Sequence, residues 1–230
     1  MMGPAQAQRP PERNGSLPSG AAAGLIRLFG RIAEAVEHEK DRLGVLDGAI
    51  GDADHGITMA LGFRAVIVAL RRLDPAQATP SDVFDSAAAA FLDAVGASTG
   101  PLYAAGLGSA ARSLEGCIRF DAAAQAAMLA AIGSGIQRRG KGQRGDKTML
   151  DVWLPAADAG EAALRAGADR PAFWARVAEA ASAGAEGTRS MVAARGRAAR
   201  LGQRSLGHLD PGAASAAIII EAMRTEFGAA

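Results

Sequence analysis

From Gly24 onward, apolar residues recur at helical intervals and almost never alternate. Leu25, Phe29, Ile32 and Val36 are spaced 4-3-4, the stripe a helix of 3.6-residue period buries. Met59, Phe63, Val66 and Leu70 repeat that spacing before Asp74-Pro75 ends the segment. Thr79-Pro80-Ser81-Asp82 supplies a helix start ahead of Phe84, Ala88, Phe91 and Val95, again 4-3-4. Ser98-Thr99-Gly100-Pro101 breaks the chain, and a helix is predicted through Leu102, Leu107, Ala111 and Leu114. Asp121 is placed to cap a stretch carrying Met128, Leu129, Ile132 and Ile136. Further helical patterns run over 149–166, 171–194 and 211–227, the last two with Pro at the first helical position. Pro155 lies inside the first of these and is expected to kink it. That makes eight helices and no convincing strand, so the predicted fold class is all-α.

Composition agrees with that reading and bounds the domain. Alanine, the best helix former, supplies about a quarter of the chain. Residues 1–20 hold four of the ten prolines and almost no large apolar side chains, which predicts a disordered tail before one domain over 21–230. Lys plus Arg number 25 against 24 Asp plus Glu, too even a balance for a general nucleic-acid binder. With 4% aromatic residues there is also little to stack on bases. A single cysteine, Cys117, excludes an internal disulfide framework and suits a reducing compartment. Cys117, Trp153 and Trp174 lie on helical patterns and are read as core. The longest apolar run, around 216–222, meets Glu221 and Arg224 well short of the roughly 20 residues a membrane span needs. No basic segment followed by an apolar one opens the chain, so the expectation is a cytoplasmic protein with neither membrane nor direct nucleic-acid partner.

Glycine changes the picture. There are 29, an odd abundance for a helical protein, and they cluster in four segments: 46–56, 96–101, 139–148 and 195–212. The first carries Asp47, Asp52 and Asp54, which a Gly-hinged loop could wrap around a hard cation such as Mg²⁺ or Ca²⁺. No Glu occupies the twelfth position of an EF-hand. Spacing alone fits an Asp-rich turn with capping roles equally well. His55 beside it reads either as a phosphoryl acceptor or as a polar contact of a bound nucleotide.

The third segment imitates a P-loop, but Asp146 interrupts the required Gly-Lys-Thr and a helix, not a strand, precedes it. What remains is a charged loop, Arg138, Arg139, Lys141, Arg144 and Lys147, opening a helix at Thr148. It reads as a phosphate site or as a solvated basic surface. The fourth segment joins Arg195, Arg197, Arg200 and Arg204 to a helix start with Asp210 as N-cap and Pro211 at the first position. Taken together, an Asp-rich loop and three Gly-rich helix starts with cations describe a Mg²⁺–nucleotide site at one end of a bundle.

The motifs LDGAIGDADHG (46–56), GASTGPLY (96–103), RGKGQRGDKTMLDVWLP (139–155) and GRAARLGQRSLGHLDPGA (196–213) resemble the ADP-binding L-subunit family of dihydroxyacetone kinases. The resemblance runs in order from about Leu25 to the C-terminus. It implies a closed barrel of eight antiparallel helices with the nucleotide at one end. It implies further that Asp47, Asp52 and Asp54 ligate two Mg²⁺ ions. His55, Gly56, Ile57 and Thr58 would lie along the nucleotide, ADP or ATP, as would Ser98 and Thr99. Gly140, Met149, Arg197, Asp210, Pro211 and Gly212 would complete the pocket. The family often has Asn or a similar residue where Thr58 stands, and Gly-Gly-Ala-Ser where this chain reads Gly96-Ala97-Ser98-Thr99.

The implied activity is that of a phosphoenolpyruvate–glycerone phosphotransferase subunit with no catalytic protein nucleophile. A phosphocarrier M subunit would charge the bound ADP, and a K subunit would present dihydroxyacetone held covalently through a histidine. Self-association into a homodimer is a further expectation. The alternatives are an ATP-exchanging kinase subunit for another short ketose or a tetrose, and a regulatory module contacting a transcription activator.

Overall fold

Apolar stripes of this kind have to close on one another, and in the structure they do so as a ring. The structure, a computed structural model, describes residues 20–117 and 119–228. The disordered tail expected over 1–20 therefore lies, apart from Gly20, outside the described residues. Among these, the chain forms α1 (Ala21–His38), α2 (Lys40–Ile50), α3 (His55–Leu70), α4 (Pro80–Ala94) and α5 (Thr99–Ser113). It continues with α6 (Ala122–Gly140), α7 (Leu150–Arg165), α8 (Arg170–Gly187) and α9 (Pro211–Phe227). No strand occurs among the described residues, and no described helix is long and apolar enough to cross a membrane.

From α3 to α9 each helix packs on the next, while α1 packs on both α3 and α9, so eight helices close into a barrel. From α3 to α8 the connections are short and make successive helices antiparallel, whereas a long segment over 188–210 leads from α8 to α9. The interior is filled, with Phe63, Phe91 and Tyr103 in mutual contact at centroid separations of 5.2 to 6.4 Å. Trp153 and Trp174 are buried as expected. Cys117 is not on a helix: it follows the end of α5, half-buried, with Sγ 2.8 Å from the Arg119 carbonyl. Where the ring closes, the Glu226 carboxylate of α9 accepts from Arg27 Nε at 3.0 Å and Arg31 Nε at 2.5 Å, both on α1.

Three sequence expectations need correction or completion. The ninth helix, α2, was not expected, because its core-facing positions are Leu43, Asp47 and Ile50. A carboxylate in the middle of the stripe, with Gly44 and Gly48 around it, hides the period. The helix expected over 171–194 stops at Gly187. There the Thr188 hydroxyl donates to the Ala185 carbonyl at 2.6 Å and accepts the Asp210 N–H at 3.0 Å, and the chain leaves in an extended conformation at Met191. Finally, α7 runs continuously through Pro155. The Asp151 carbonyl, left without a partner N–H by that proline, is where Gly184 of α8 comes closest. A Cβ at 184 would lie 2.1 Å from that oxygen.

Candidate functional site

Helix starts decide where the site is. At one end of the barrel α4, α6 and α8 begin, and each is capped by its own side chain: Thr79, Asp121 and Asp169 accept the N–H groups of Asp82, Ala124 and Ala172. At the other end α3, α5, α7 and α9 begin around a single cleft of about 450 Å³. There the N-cap residues of α5 and α7, Ser98 and Met149, make no side-chain cap. Local acceptors take up the first turns instead, Thr148 Oγ1 from Leu150 N–H at 3.1 Å and the Ala97 carbonyl from Gly100 N–H at 3.0 Å, and the positive ends of both helix dipoles face the cleft.

The rim of this cleft carries the carboxylates. Asp47 projects from α2 and is buried, and its Oδ2 accepts the N–H of Asp54 at 2.9 Å and of His55 at 3.1 Å. It thereby caps α3 from a neighbouring helix. The turn that follows leaves no room beside it: a Cβ on Gly51 would lie 2.1 Å from Asp47 Oδ1. Asp47, Asp52 and Asp54 each bring one carboxylate oxygen to within 4.8 Å of the others. Three converging oxygens with no nitrogen or sulfur fit a hard divalent cation. Ala53 between them takes a left-handed φ of 65°. Asp52 pairs across the mouth with Arg197.

Behind the rim lies a layer of buried polar groups. The Ser215 hydroxyl donates to the Gly212 carbonyl at 3.0 Å, so it must accept from His55 Nε2 at 2.9 Å. This places a proton on Nε2, and burial, opposed by the nearby Asp47, lowers the His55 pKa and so favours the neutral ring. His55 is thus a buried support and not an exposed phosphoryl acceptor. Asp210 caps α9 by accepting from the Ala213 N–H at 2.7 Å, as its sequence position implied. Burial pushes its carboxyl up to about 7, against the pull of that N–H and of Lys147.

The basic loop divides its cations between the cleft and the surface. Arg138 turns away to Ser109 (3.0 Å) and Arg144 to Asp158 (2.5 Å). Lys147, only 1% exposed, lies in the wall of the cleft. Arg139 lines the cleft. The loop itself is held from within. Asp146 accepts from the Gln143 N–H at 3.0 Å and Arg195 Nε at 3.1 Å, and Asp151 accepts from the N–H groups of Gly145 (2.5 Å) and Thr148 (2.7 Å).

Of the expected site residues, Asp47, Asp52, Asp54, His55, Ser98, Thr99, Gly140, Met149, Arg197, Asp210, Pro211 and Gly212 all line the cleft. Gly56, Ile57 and Thr58 do not. Gly56 is buried against the Lys40 carbonyl, and Ile57 is 57% exposed on the outside of α3. The cleft also has an apolar side made by Leu102, Ile136 and Leu150. In the sequence, Leu102 and Ile136 were indistinguishable from ordinary core positions.

The DAK2 domain family matches residues 49–225. The ADP-binding subunit DhaL of PEP-dependent dihydroxyacetone kinase 1 from Listeria innocua is 37% identical over 198 residues, 86% of this chain and 93% of that one. The corresponding subunit of Escherichia coli K12 is 30% identical over 86% of this chain and 93% of its own. L-Erythrulose 1-kinase of Mycolicibacterium smegmatis is 35% identical over 88% of this chain, which spans only 35% of that protein. Among solved structures, the dihydroxyacetone kinase of C. freundii superposes with a TM-score of 0.70 at 22% identity, over 98% of this chain and 38% of that one. The same enzyme in complex with AMP-PNP and Mg²⁺ gives 0.68 at 23% identity. At such identity the likeness establishes the helical fold.

Proposed function

The chain belongs to the DAK2 domain family, and from that premise we propose that it is the nucleotide-carrying subunit of a dihydroxyacetone kinase. The observation that carries this is the pair of helix starts, α5 and α7, facing the three-carboxylate rim across one cleft. The positive dipole ends of helices suit phosphate oxygens. The cleft volume suits a nucleotide, with Leu102 and Ile136 offering an apolar seat to a base. Asp47, Asp52 and Asp54 would hold Mg²⁺, two ions by the family pattern, which when bound neutralises phosphate charge.

The chain's own residues position more than they react. Ser98, Thr99 and Met149 stand at the α5 and α7 starts, where a phosphate chain would lie. Gly140, Pro211 and Gly212 supply backbone walls. Arg197 stands over the mouth, where the terminal phosphoryl group would leave. Phosphoryl transfer asks for such positioning and charge stabilisation, not a protein nucleophile. Neither nearby histidine presents itself as a covalent carrier in the cleft: Nε2 of His55 is bonded to Ser215, and His208, although exposed, is not among the residues that line it.

The nucleotide would be recharged by a phosphocarrier M subunit and discharged onto dihydroxyacetone on a K subunit, each docking at the open end of the barrel. The near-complete mutual coverage with DhaL subunits favours this over an L-erythrulose-type kinase, of which the chain matches one third. Self-association has an apolar surface available on α3, where Ile57, Leu61 and Val68 are each at least half exposed. A cytoplasmic location accords with the single free Cys117. Residues 21–230 would form the nucleotide-binding domain, with 1–20 as its tail. The test is to assay the purified chain with dihydroxyacetone, Mg²⁺ and ATP, before and after adding a substrate-binding K subunit. Product only in the second case supports the reading, and sustained product from the chain alone refutes it.

A further inference from the structure

Lysine in a Gly-rich loop beside a phosphate site is ordinarily read as a phosphate ligand. The geometry of Lys147 points elsewhere. The residue sits at a left-handed φ of 60°, unusual for a side chain of this size, and is 1% exposed. Its Nζ donates to the Thr188 carbonyl at 2.6 Å and to the His208 carbonyl at 2.5 Å. Those acceptors belong to two different segments: the 3₁₀ turn after α8, and the chain just before α9. Thr188 and Asp210 are themselves joined, the Asp210 N–H donating to Thr188 Oγ1 at 3.0 Å. One ammonium therefore ties the 140–149 loop and the start of α9, both of which line the cleft, to the turn after α8.

We infer that Lys147 is a positioning residue of the nucleotide site, a buried cation that locks the 140–149 loop to the start of α9 and to the turn after α8, without itself being a ligand of the phosphates. This rests on the nucleotide reading of the cleft. Of the charges that act on this ammonium, the Asp210 carboxylate at the N-cap of α9 favours its charged form most. The carboxylates of Asp151 on α7 and Asp47 on α2 also face Asp210, and Arg189 faces the ammonium from the turn after α8. The Tyr103 hydroxyl of α5 feels the same carboxylate. Lys147 thus opposes two carboxylates and a burial penalty that all disfavour ionised Asp210.

The experiment is calorimetric titration of the full chain with ADP in Mg²⁺ buffer at pH 8, far below the melting temperature. Lys147→Met is expected to weaken ADP binding at least tenfold while keeping the helical circular dichroism. Between pH 6 and 9, the pH at which wild-type affinity changes should move up by at least one unit in the variant, because Asp210 loses its cation. Lys147→Met/Asp210→Asn, which buries no charge, should melt higher than Lys147→Met yet remain weak for ADP. It also serves if the single variant does not fold. Wild-type binding alongside equally tight binding by Lys147→Met, or by the double variant, would overturn the inference and leave the nucleotide reading intact. Failure of the wild type to bind ADP would remove both.

Discussion

Arg197 and Asp52 form an ion pair across the mouth of the cleft, joining the segment after α8 to the carboxylate turn before α3. Both side chains are substantially exposed, at 59% and 36%. Such a pair contributes about 0–1 kcal/mol and is cheap to break. Arg197 can therefore exchange Asp52 for a phosphate when a nucleotide enters. Arg197→Ala is expected to leave the melting temperature of the ligand-free protein within about a degree. ADP binding should weaken by roughly 1.5–3 kcal/mol, the worth of a charge-assisted contact. Isothermal titration settles it: equal affinities for the two proteins would make the arginine a surface residue only.

Asp47 and Asp52 are both rim carboxylates, yet their losses should look different. Asp47 is buried and holds two N–H groups at the start of α3. Asp47→Ala leaves those donors unpaired, costing roughly 2–3 kcal/mol of stability even without ligand. Asp52 holds no part of the fold beyond its exposed pair. Asp52→Asn should melt like the wild type when ligand-free, but lose most of the upward shift that ADP plus Mg²⁺ produces. Thermal melts with ADP–Mg²⁺ and with chelator test both. A full ligand shift in Asp52→Asn would detach the aspartates from metal binding.

How much of this was legible follows from which physical signal each residue leaves in sequence. The ring helices were readable because their stripes, such as Met59-Phe63-Val66-Leu70, are buried in full. The helix α2 was not, because the chemistry sits in its stripe: Asp47 occupies the position a leucine would mark. In the sequence Lys147 reads as one cation of a phosphate site or of a solvated loop, since neither its left-handed backbone nor its two carbonyl partners shows there. The consecutive run His55-Gly56-Ile57-Thr58 could not face one cleft as a whole. Successive residues of a helix point about 100° apart, and only His55 turns inward.

Asp210 gives the chain an acid-side pH dependence of a particular sign. Its folded pKa of about 7 lies above the ordinary 3.8, so the folded state holds this proton more tightly than the unfolded chain. The contribution is complete below pH 4 and is lost as pH rises toward 7. It amounts to up to about 4 kcal/mol at roughly 1.4 kcal/mol per unit. His55 acts oppositely, its lowered pKa costing stability as pH falls below 6.5. Asp210→Asn removes the first effect and leaves the second. Between pH 5 and 7 its melting temperature should rise relative to the wild type, whose curve sags. Parallel curves for the two proteins would show that Asp210 titrates normally.

The ring closure at Glu226 should separate stability from function. This carboxylate sits on α9 with its side chain 6% exposed, and it is shared by Arg27 and Arg31 of α1. It lies near the end of α9, whereas the cleft is built on that helix's start. Glu226→Ala leaves two arginines without an acceptor and loosens the contact between the first and last helices of the barrel. A cost of roughly 1–3 kcal/mol is expected, because the carboxylate is sheltered although the guanidinium groups are not. The α9 start, capped by Asp210 and tied through Thr188, does not depend on this clasp. Chemical denaturation should therefore show a lower midpoint with an unchanged slope, while the ADP dissociation constant, measured at a temperature where both proteins are folded, stays within twofold of wild type. A parallel loss of ADP affinity would mean that the two ends of the barrel are coupled through α9.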